Sequence, residues 1–231
     1  MTAPTATLHL AGAGEAAGLA AFLTRLLRYD RAAAVRLRAG GGVLAVFGRP
    51  PSFEVLAVRT AALRDAEVSL DVTVSAGELL DAIEEPEGRV GVPAAVTGPP
   101  WSGVLPPRGG WRELPGTPGA DALRRAVAAA VAEFRARDEA LPPEGRTREA
   151  RDRIGREIWS RTLGDTGLPL RAAHAAQSLG FLPPGGALPH EVPVALLATG
   201  PWLRLRTPFG SVVVRTGAGL GELGVAPLRH G

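Results

Sequence analysis

The chain has 231 residues, 45% hydrophobic and 21% charged, with a formal net charge of +3, enough for one large domain or two small ones with a real core. It has no cysteine, and all 26 basic residues are arginine. That excludes disulfides, cysteine-ligated metal centres, thiol nucleophiles, the lysine of a phosphate-binding loop and a Schiff-base lysine.

The sequence pI near 10.7 follows from the same arginine bias and is weak support for a nucleic-acid partner. Met1-Thr2-Ala3-Pro4-Thr5 has no basic region leading into an apolar run, and no apolar stretch approaches the ~20 residues that cross a bilayer. A cytoplasmic protein without a membrane partner is the expectation.

In chain order, Leu8 and Leu10 alternate with Thr7 and His9 as a short strand, and Leu19, Phe22, Leu23, Leu26 and Leu27 mark one face of a helix over Glu15 to Tyr29. Four strands follow: Ala33 to Arg38, Val43 to Phe47, Glu54 to Arg59, and Val68 to Val74. The last alternates strictly, so one face is wet and the sheet is antiparallel. Ser75-Ala76-Gly77-Glu78 is a capping box for a helix through Leu79, Leu80 and Ile83, closed by Pro86, and Val90 to Val96 is one more short strand.

From Val96 to Asp121 the chain reads VTGPPWSGVLPPRGGWRELPGTPGAD, rich in glycine and proline yet carrying Trp101 and Trp111. Docking two indoles contributes a few kcal/mol by area, and Pro99-Pro100 and Pro106-Pro107 pre-extend the backbone. The expectation is a strap whose anchors, Trp101 and Trp111, fill the seam between the N-terminal sheet and the C-terminal helices, with Arg108-Gly109-Gly110 as an exposed bend. The rival reading is a display loop offered to a partner.

Beyond it lie an alanine-rich helix with Leu123, Val127, Val131 and Phe134 on one stripe, a helix over Thr147 to Leu163, and a helix over Pro169 to Leu179 capped by Gly180. Interleaved charges predict pairs such as Glu149–Arg153 and Asp152–Arg156 on the second. Strands close the chain at Val192 to Ala198, Trp202 to Arg206 and Ser211 to Arg215. VPAAVTGPPW echoes VPVALLATGPW, a duplication or a product of biased composition.

Enzyme-like motifs fare poorly. Gly12 to Gly18 spells GxGxxxG between a strand and a helix, where a dinucleotide pyrophosphate would sit, with Arg36 or Arg38 toward a 2′-phosphate. The alternating first strand, the hairpin-like strands that follow and the missing ribose carboxylate argue for turn and packing glycines. His9, His174, His190 and His230 show no metal-ligand spacing, and Ser102 has no base in sequence. No catalytic residue, cofactor or metal is therefore assigned.

Leu203 and Leu205 face inward with Val212 and Val214, so Trp202, Arg204 and Arg206 share the opposite face with Arg215. Such a ribbon can track phosphates and stack a base, or is simply a solvated sheet face. Two helices and a hairpin resemble a winged helix, but Phe181 to Gly186 cannot form its recognition helix.

LAAFLTRLLRYDRAAAVRLRA, GPPWSGVLPP and GPWLRLRTPFGS resemble uncharacterised conserved proteins of GC-rich actinobacteria, a likeness that brings no activity and no residue role. Helix, four strands and helix over Glu15 to Glu85 are loosely similar to modules of type VII secretion chaperones, which points toward binding.

The expected fold is α+β: an antiparallel module over 1–96, a strap over 97–119, and a helical segment with C-terminal strands over 120–231, which can pack as one body with the first. The expected function is non-enzymatic binding or adaptor work through protein–protein contacts. Partner-binding residues are Trp202, Arg204, Arg206 and Arg215. A protein partner leads, nucleic acid is the alternative, an enzyme of unrecognised type comes third, and a homodimer is compatible with all three.

Overall fold

A computed structural model describes residues 6–186 and 192–216. The elements are β1 (Ala6–His9), α1 (Ala13–Tyr29), β2 (Ala34–Gly40), β3 (Val43–Gly48), β4 (Leu56–Ala62), β5 (Leu70–Ser75), α2 (Ala76–Asp81), β6 (Ile83–Glu84), β7 (Arg89–Val92), β8 (Arg112–Leu114), α3 (Ala120–Glu139), α4 (Arg148–Ser160), α5 (Leu170–Ser178), β9 (Ala195–Thr199), β10 (Trp202–Thr207) and β11 (Gly210–Arg215). The fold is α+β, and every ladder between these strands is antiparallel.

Eight strands form one sheet in the order β5-β2-β3-β4-β11-β10-β9-β8, and β1, β7 and β6 form a second of three strands. The large sheet is continuous through both halves of the chain, because β11 pairs with β4 at Ser211↔Val58, Val212↔Ala57 and Val213↔Leu56. Period-2 alternation then gives it two distinct faces. Val35, Leu37, Leu44, Val46, Ala57, Ala61, Val74, Leu196, Leu203, Leu205, Val212 and Val214 belong to the main core together with the buried faces of α1, α3, α4 and α5. Arg36, Arg38, Phe47, Val58, Val213 and Arg204 lie on the other face by the same alternation.

Ser75 caps α2 as expected, its hydroxyl accepting from Glu78 N–H at 3.4 Å. That helix is shorter than the sequence suggests: it stops at Asp81, and Ile83 instead joins β6 against β7. Gly180 takes the expected left-handed conformation, at φ +79°. The expected pairs Glu149–Arg153 and Asp152–Arg156 do not form, and other charged residues bond between helices. Arg137 holds Glu157 at 2.7 and 2.8 Å, Arg161 holds Glu133 at 2.6 and 2.8 Å, and Arg151 holds Asp138 at 2.8 Å. Within α4, Asp152 lies 3.7 Å from Arg148 rather than pairing with Arg156.

Phe181, just past α5, is 2% exposed and stacks on Phe22 of α1 with ring centroids 5.6 Å apart. It can do so only because Gly210 opens β11 without a side chain. A Cβ there would stand 2.4 Å from the Phe181 ring, at φ +154°. Gly210→Ala should cost about 2–4 kcal/mol, from overpacking combined with a disfavoured backbone. A fall in the urea midpoint with unchanged slope is the expected readout.

Candidate functional site

The glycine- and proline-rich segment crosses the outer face of the large sheet. At one end Val96 N–H donates to Thr73 O of edge strand β5 at 2.9 Å. At the other it becomes the opposite edge strand, β8, paired with β9. Seven strand spacings separate those edges, roughly 34 Å, and the strap covers that distance with a 3-10 turn at Pro100–Gly103 and a bend before Trp111.

Trp101, Leu105 and Trp111 pack with Trp202 on an apolar patch of Phe47, Leu56, Val58 and Val213. The two strap tryptophans are half-buried, but not where the sequence reading puts them. The helices lie on the other face, and the seam between the halves is closed by the β4–β11 ladder. The strap therefore covers the outer apolar patch. Its bend matches expectation: Arg108, Gly109 and Gly110 are exposed, and Trp111 Nε1 donates to Pro107 O at 3.0 Å, closing the turn around them.

An arginine fixes the first half of the strap. Arg36 of β2 holds Asp71 of β5 in a bidentate pair at 2.7 and 3.0 Å and donates to the Ser102 carbonyl. The Arg36 hydrogen bond holds the Asp71 carboxyl below its ordinary range, partly offset by burial. Ser102 Oγ donates to Pro99 O at 2.8 Å.

Trp202, Arg204, Arg206 and Arg215 share the outer face, as the register requires, but they are not an open basic ribbon. The Arg204 guanidinium sits 5.8 Å from the Trp111 ring centroid, and Arg215 sits 5.8 Å from that of Trp202. Arg206 is exposed, with Glu113 of β8 4.0 Å away. Burial, then the neighbouring Arg206 charge, pushes the Arg204 pKa down. The strap docks over one end of the ribbon and converts it into the wall of a groove. β8, three residues amid glycine and proline, is too short for periodicity to reveal.

Between strap and sheet lies a cavity of about 310 Å³, walled by Phe47, Val58, Val213, Trp111, Arg38 and Arg204, with Arg108 at its rim. Arg38 Nε is 3.3 Å from Asp71 Oδ2 but angled away from it, and Arg38 Nε and Arg204 Nε are both buried without a hydrogen-bond partner. Arg38, weighed from sequence only for a 2′-phosphate, is a charged wall residue missing from the expected partner face. Its signal was the Arg36/Arg38 alternation with Val35 and Leu37.

Residues 3–103 match a family model described as "Domain of unknown function (DUF8010)", and residues 106–219 match "Domain of unknown function (DUF8185)". The two matches abut inside the strap. Trp101 falls in the first and Trp111 in the second, so each half brings one indole to the same patch. No curated protein matches.

Among solved structures, the DNA polymerase sliding clamp of Pseudomonas aeruginosa is similar at 14% identity and TM-score 0.48, covering 93% of this chain and 65% of the clamp. The same clamp with ligand is similar at 13% identity and TM-score 0.48, covering 88% of this chain and 63% of the clamp. The chain thus spans under two thirds of the clamp's length, and a likeness of this size carries neither activity nor partner across.

The remaining sequence candidates fall elsewhere. Gly12 precedes α1 as its cap residue, and Gly18 makes room for the Arg59 guanidinium of β4, which lies 3.4 Å from Glu15. His9 is exposed on β1, whereas His190 and His230 lie outside the described residues. Among the described residues no three His, Asp or Glu side chains come together, and no helix is long and apolar enough to cross a membrane. The echoed segments differ locally. Thr199-Gly200-Pro201 turns tightly between β9 and β10, and Thr97-Gly98-Pro99 leads into the strap, yet Trp101 and Trp202 reach the same patch.

Because the folded Asp71 pKa is depressed, its pairing contributes fully above the ordinary carboxylate range and is lost as pH falls through the lowered value. Tryptophan emission should therefore stay blue-shifted through mildly acidic pH and move red only below that range. In Asp71→Asn the red shift should already be present at neutral pH.

Proposed function

We propose that this is a non-enzymatic binding protein that takes an acidic segment of a protein partner into the groove between strap and sheet. The observation that carries the reading is that Arg38 and Arg204, each with a buried Nε–H lacking a hydrogen-bond partner, wall one cavity. A buried donor left unpaired costs about 1–3 kcal/mol, more when charged, and a carboxylate oxygen repays it with a charge-assisted bond. Phe47, Val58, Val213 and Trp111 supply an apolar wall for the residue beside that carboxylate.

Size and charge favour protein over nucleic acid. A cavity of about 310 Å³ is at the small end of ligand pockets and suits one or two side chains. Two arginines that would track phosphates along the outer face are paired with carboxylates instead: Arg36 with Asp71 and Arg206 near Glu113.

A short Asp/Glu-rich peptide titrated against the full chain should quench tryptophan emission and weaken with salt. Its Asn/Gln counterpart should bind about tenfold more weakly. Arg204→Met should abolish the preference while shifting fold stability by less than about 1 kcal/mol, since methionine keeps an apolar contact for Trp111 in place of the cation–π one. Arg148→Gln, on the exposed side of α4, should change neither. Equal binding of the two peptides would sink the reading, and tighter binding of a single-stranded oligonucleotide would replace it with the nucleic-acid alternative.

A further inference from the structure

The opposite side of the molecule holds a larger cleft, of about 740 Å³, where the end of α1, the Pro51–Glu54 turn, α3, α4 and α5 meet. One wall is a run of rings in contact. Trp159 stacks on His174 with centroids 4.3 Å apart at 22°, His174 meets Phe53 edge-on at 5.0 Å, and Phe53 meets Tyr29 edge-on at 5.1 Å. Phe134 of α3 also lines the cleft. Four of the chain's eleven Phe, Trp and Tyr residues thus line one cleft.

Its charge is unbalanced. Arg151 is engaged by Asp138 at 2.8 Å, and Asp152 is 3.7 Å from Arg148. That leaves Arg156 and Arg171 facing Glu54. Arg171 Nε is buried without a hydrogen-bond partner, its nearest carboxylate oxygen being Glu54 Oε2 at 4.0 Å, beyond bonding distance. Burial also pushes the His174 pKa down, so the stacked imidazole is neutral near pH 7.

Two backbone features belong to this cleft. Glu54 has φ +52° and is the only non-glycine residue at positive φ among the described residues, a disfavoured geometry of the kind that gathers at ligand sites. Gly155 lies inside α4, where glycine is a poorer helix former than alanine. A methyl group there would sit in ordinary contact, 3.7 Å from Phe134 and 3.7 Å from Trp159. Packing does not demand a glycine; its absence of a side chain leaves the gap between those rings open.

We infer that this cleft is a second binding site, for a small planar aromatic anion whose ring lies against the Trp159–His174–Phe53 wall and whose carboxylate meets Arg171. The wall supplies stacking surface for a flat ring, and the unpartnered guanidinium donor selects the charge.

Indole-3-acetate, indole-3-acetamide and tryptamine titrated into the full chain by calorimetry test this directly. The anion should bind at submillimolar concentration, the amide about tenfold more weakly, and the cation not measurably. His174 ring-proton signals, assigned with His174→Gln, should shift with the anion. Arg171→Gln should bring anion and amide to the same affinity. Gly155→Ala should raise the melting temperature yet weaken both ligands, separating site occupancy from folding. Absence of binding by all three at millimolar concentration, equal binding of tryptamine, an anion preference surviving Arg171→Gln, or unchanged affinity in Gly155→Ala would each overturn the assignment.

Discussion

Leu56, Ala57 and Val58 of β4 lie against Val213, Val212 and Ser211 of β11, and most of what is distinctive in this molecule follows from that ladder. It joins strands about 150 residues apart in the chain into one eight-stranded sheet. Without it each half would present an unpaired, strongly apolar edge, a surface that proteins otherwise blunt or cover. With it, the inward alternation of both halves falls on one side, and α1, α3, α4 and α5 can share a single core. Ala57 and Val212, opposite one another, are both 0% exposed; the junction is as dry as any part of the interior. Gly210 lets Phe181 lie on the start of β11, tying α5 to the same junction and, through Phe22, to α1.

All the helices go to one face, so the other must be covered differently. Phe47, Leu56, Val58 and Val213 form an apolar island there, flanked by Arg36 and Arg38 on one side and by Arg204 and Arg206 on the other. A helix would bury those charges along with the island. An extended strap with two indoles covers the island and leaves the long arginine stems to run beneath or beside it. Glycine and proline suit such a cover, because the chain has to turn at Pro100–Gly103 and again at Gly110 and no ladder beneath it needs its amide groups.

Much of the secondary structure was legible because each element carries its own period. The alternation from Leu70 to Val74 and the spacing of Leu19, Phe22, Leu23 and Leu26 are local properties, and the capping box at Ser75 is written in four residues. The face onto which the strap folds is not local. Trp101 and Trp111 announce burial, but only the pairing of β4 with β11 determines that the free apolar surface is the outer one. The register of β10 and β11 could be read directly, putting Trp202, Arg204, Arg206 and Arg215 on one face. Their cover could not, since Trp111 lies far away in sequence. The aromatic cleft was invisible for the same reason: Tyr29, Phe53, Phe134, Trp159 and His174 come from five separate segments, and His174 among alanines looks like an ordinary helix residue.

Arginine chemistry links the two cavities. A buried lysine can shed its proton and become neutral, whereas a guanidinium keeps its charge throughout the range in which proteins fold. This chain has no lysine, so every cation placed in a partly dry setting remains a cation. Among the described residues, the buried side-chain nitrogens and oxygens without a partner are Arg38 Nε, Arg171 Nε and Arg204 Nε. The first and third wall the strap groove, and the second walls the aromatic cleft. Arg36, Arg137 and Arg161 by contrast form bidentate pairs with carboxylates. The three buried donors thus all belong to arginines that wall a cavity, two at the strap groove and one at the aromatic cleft.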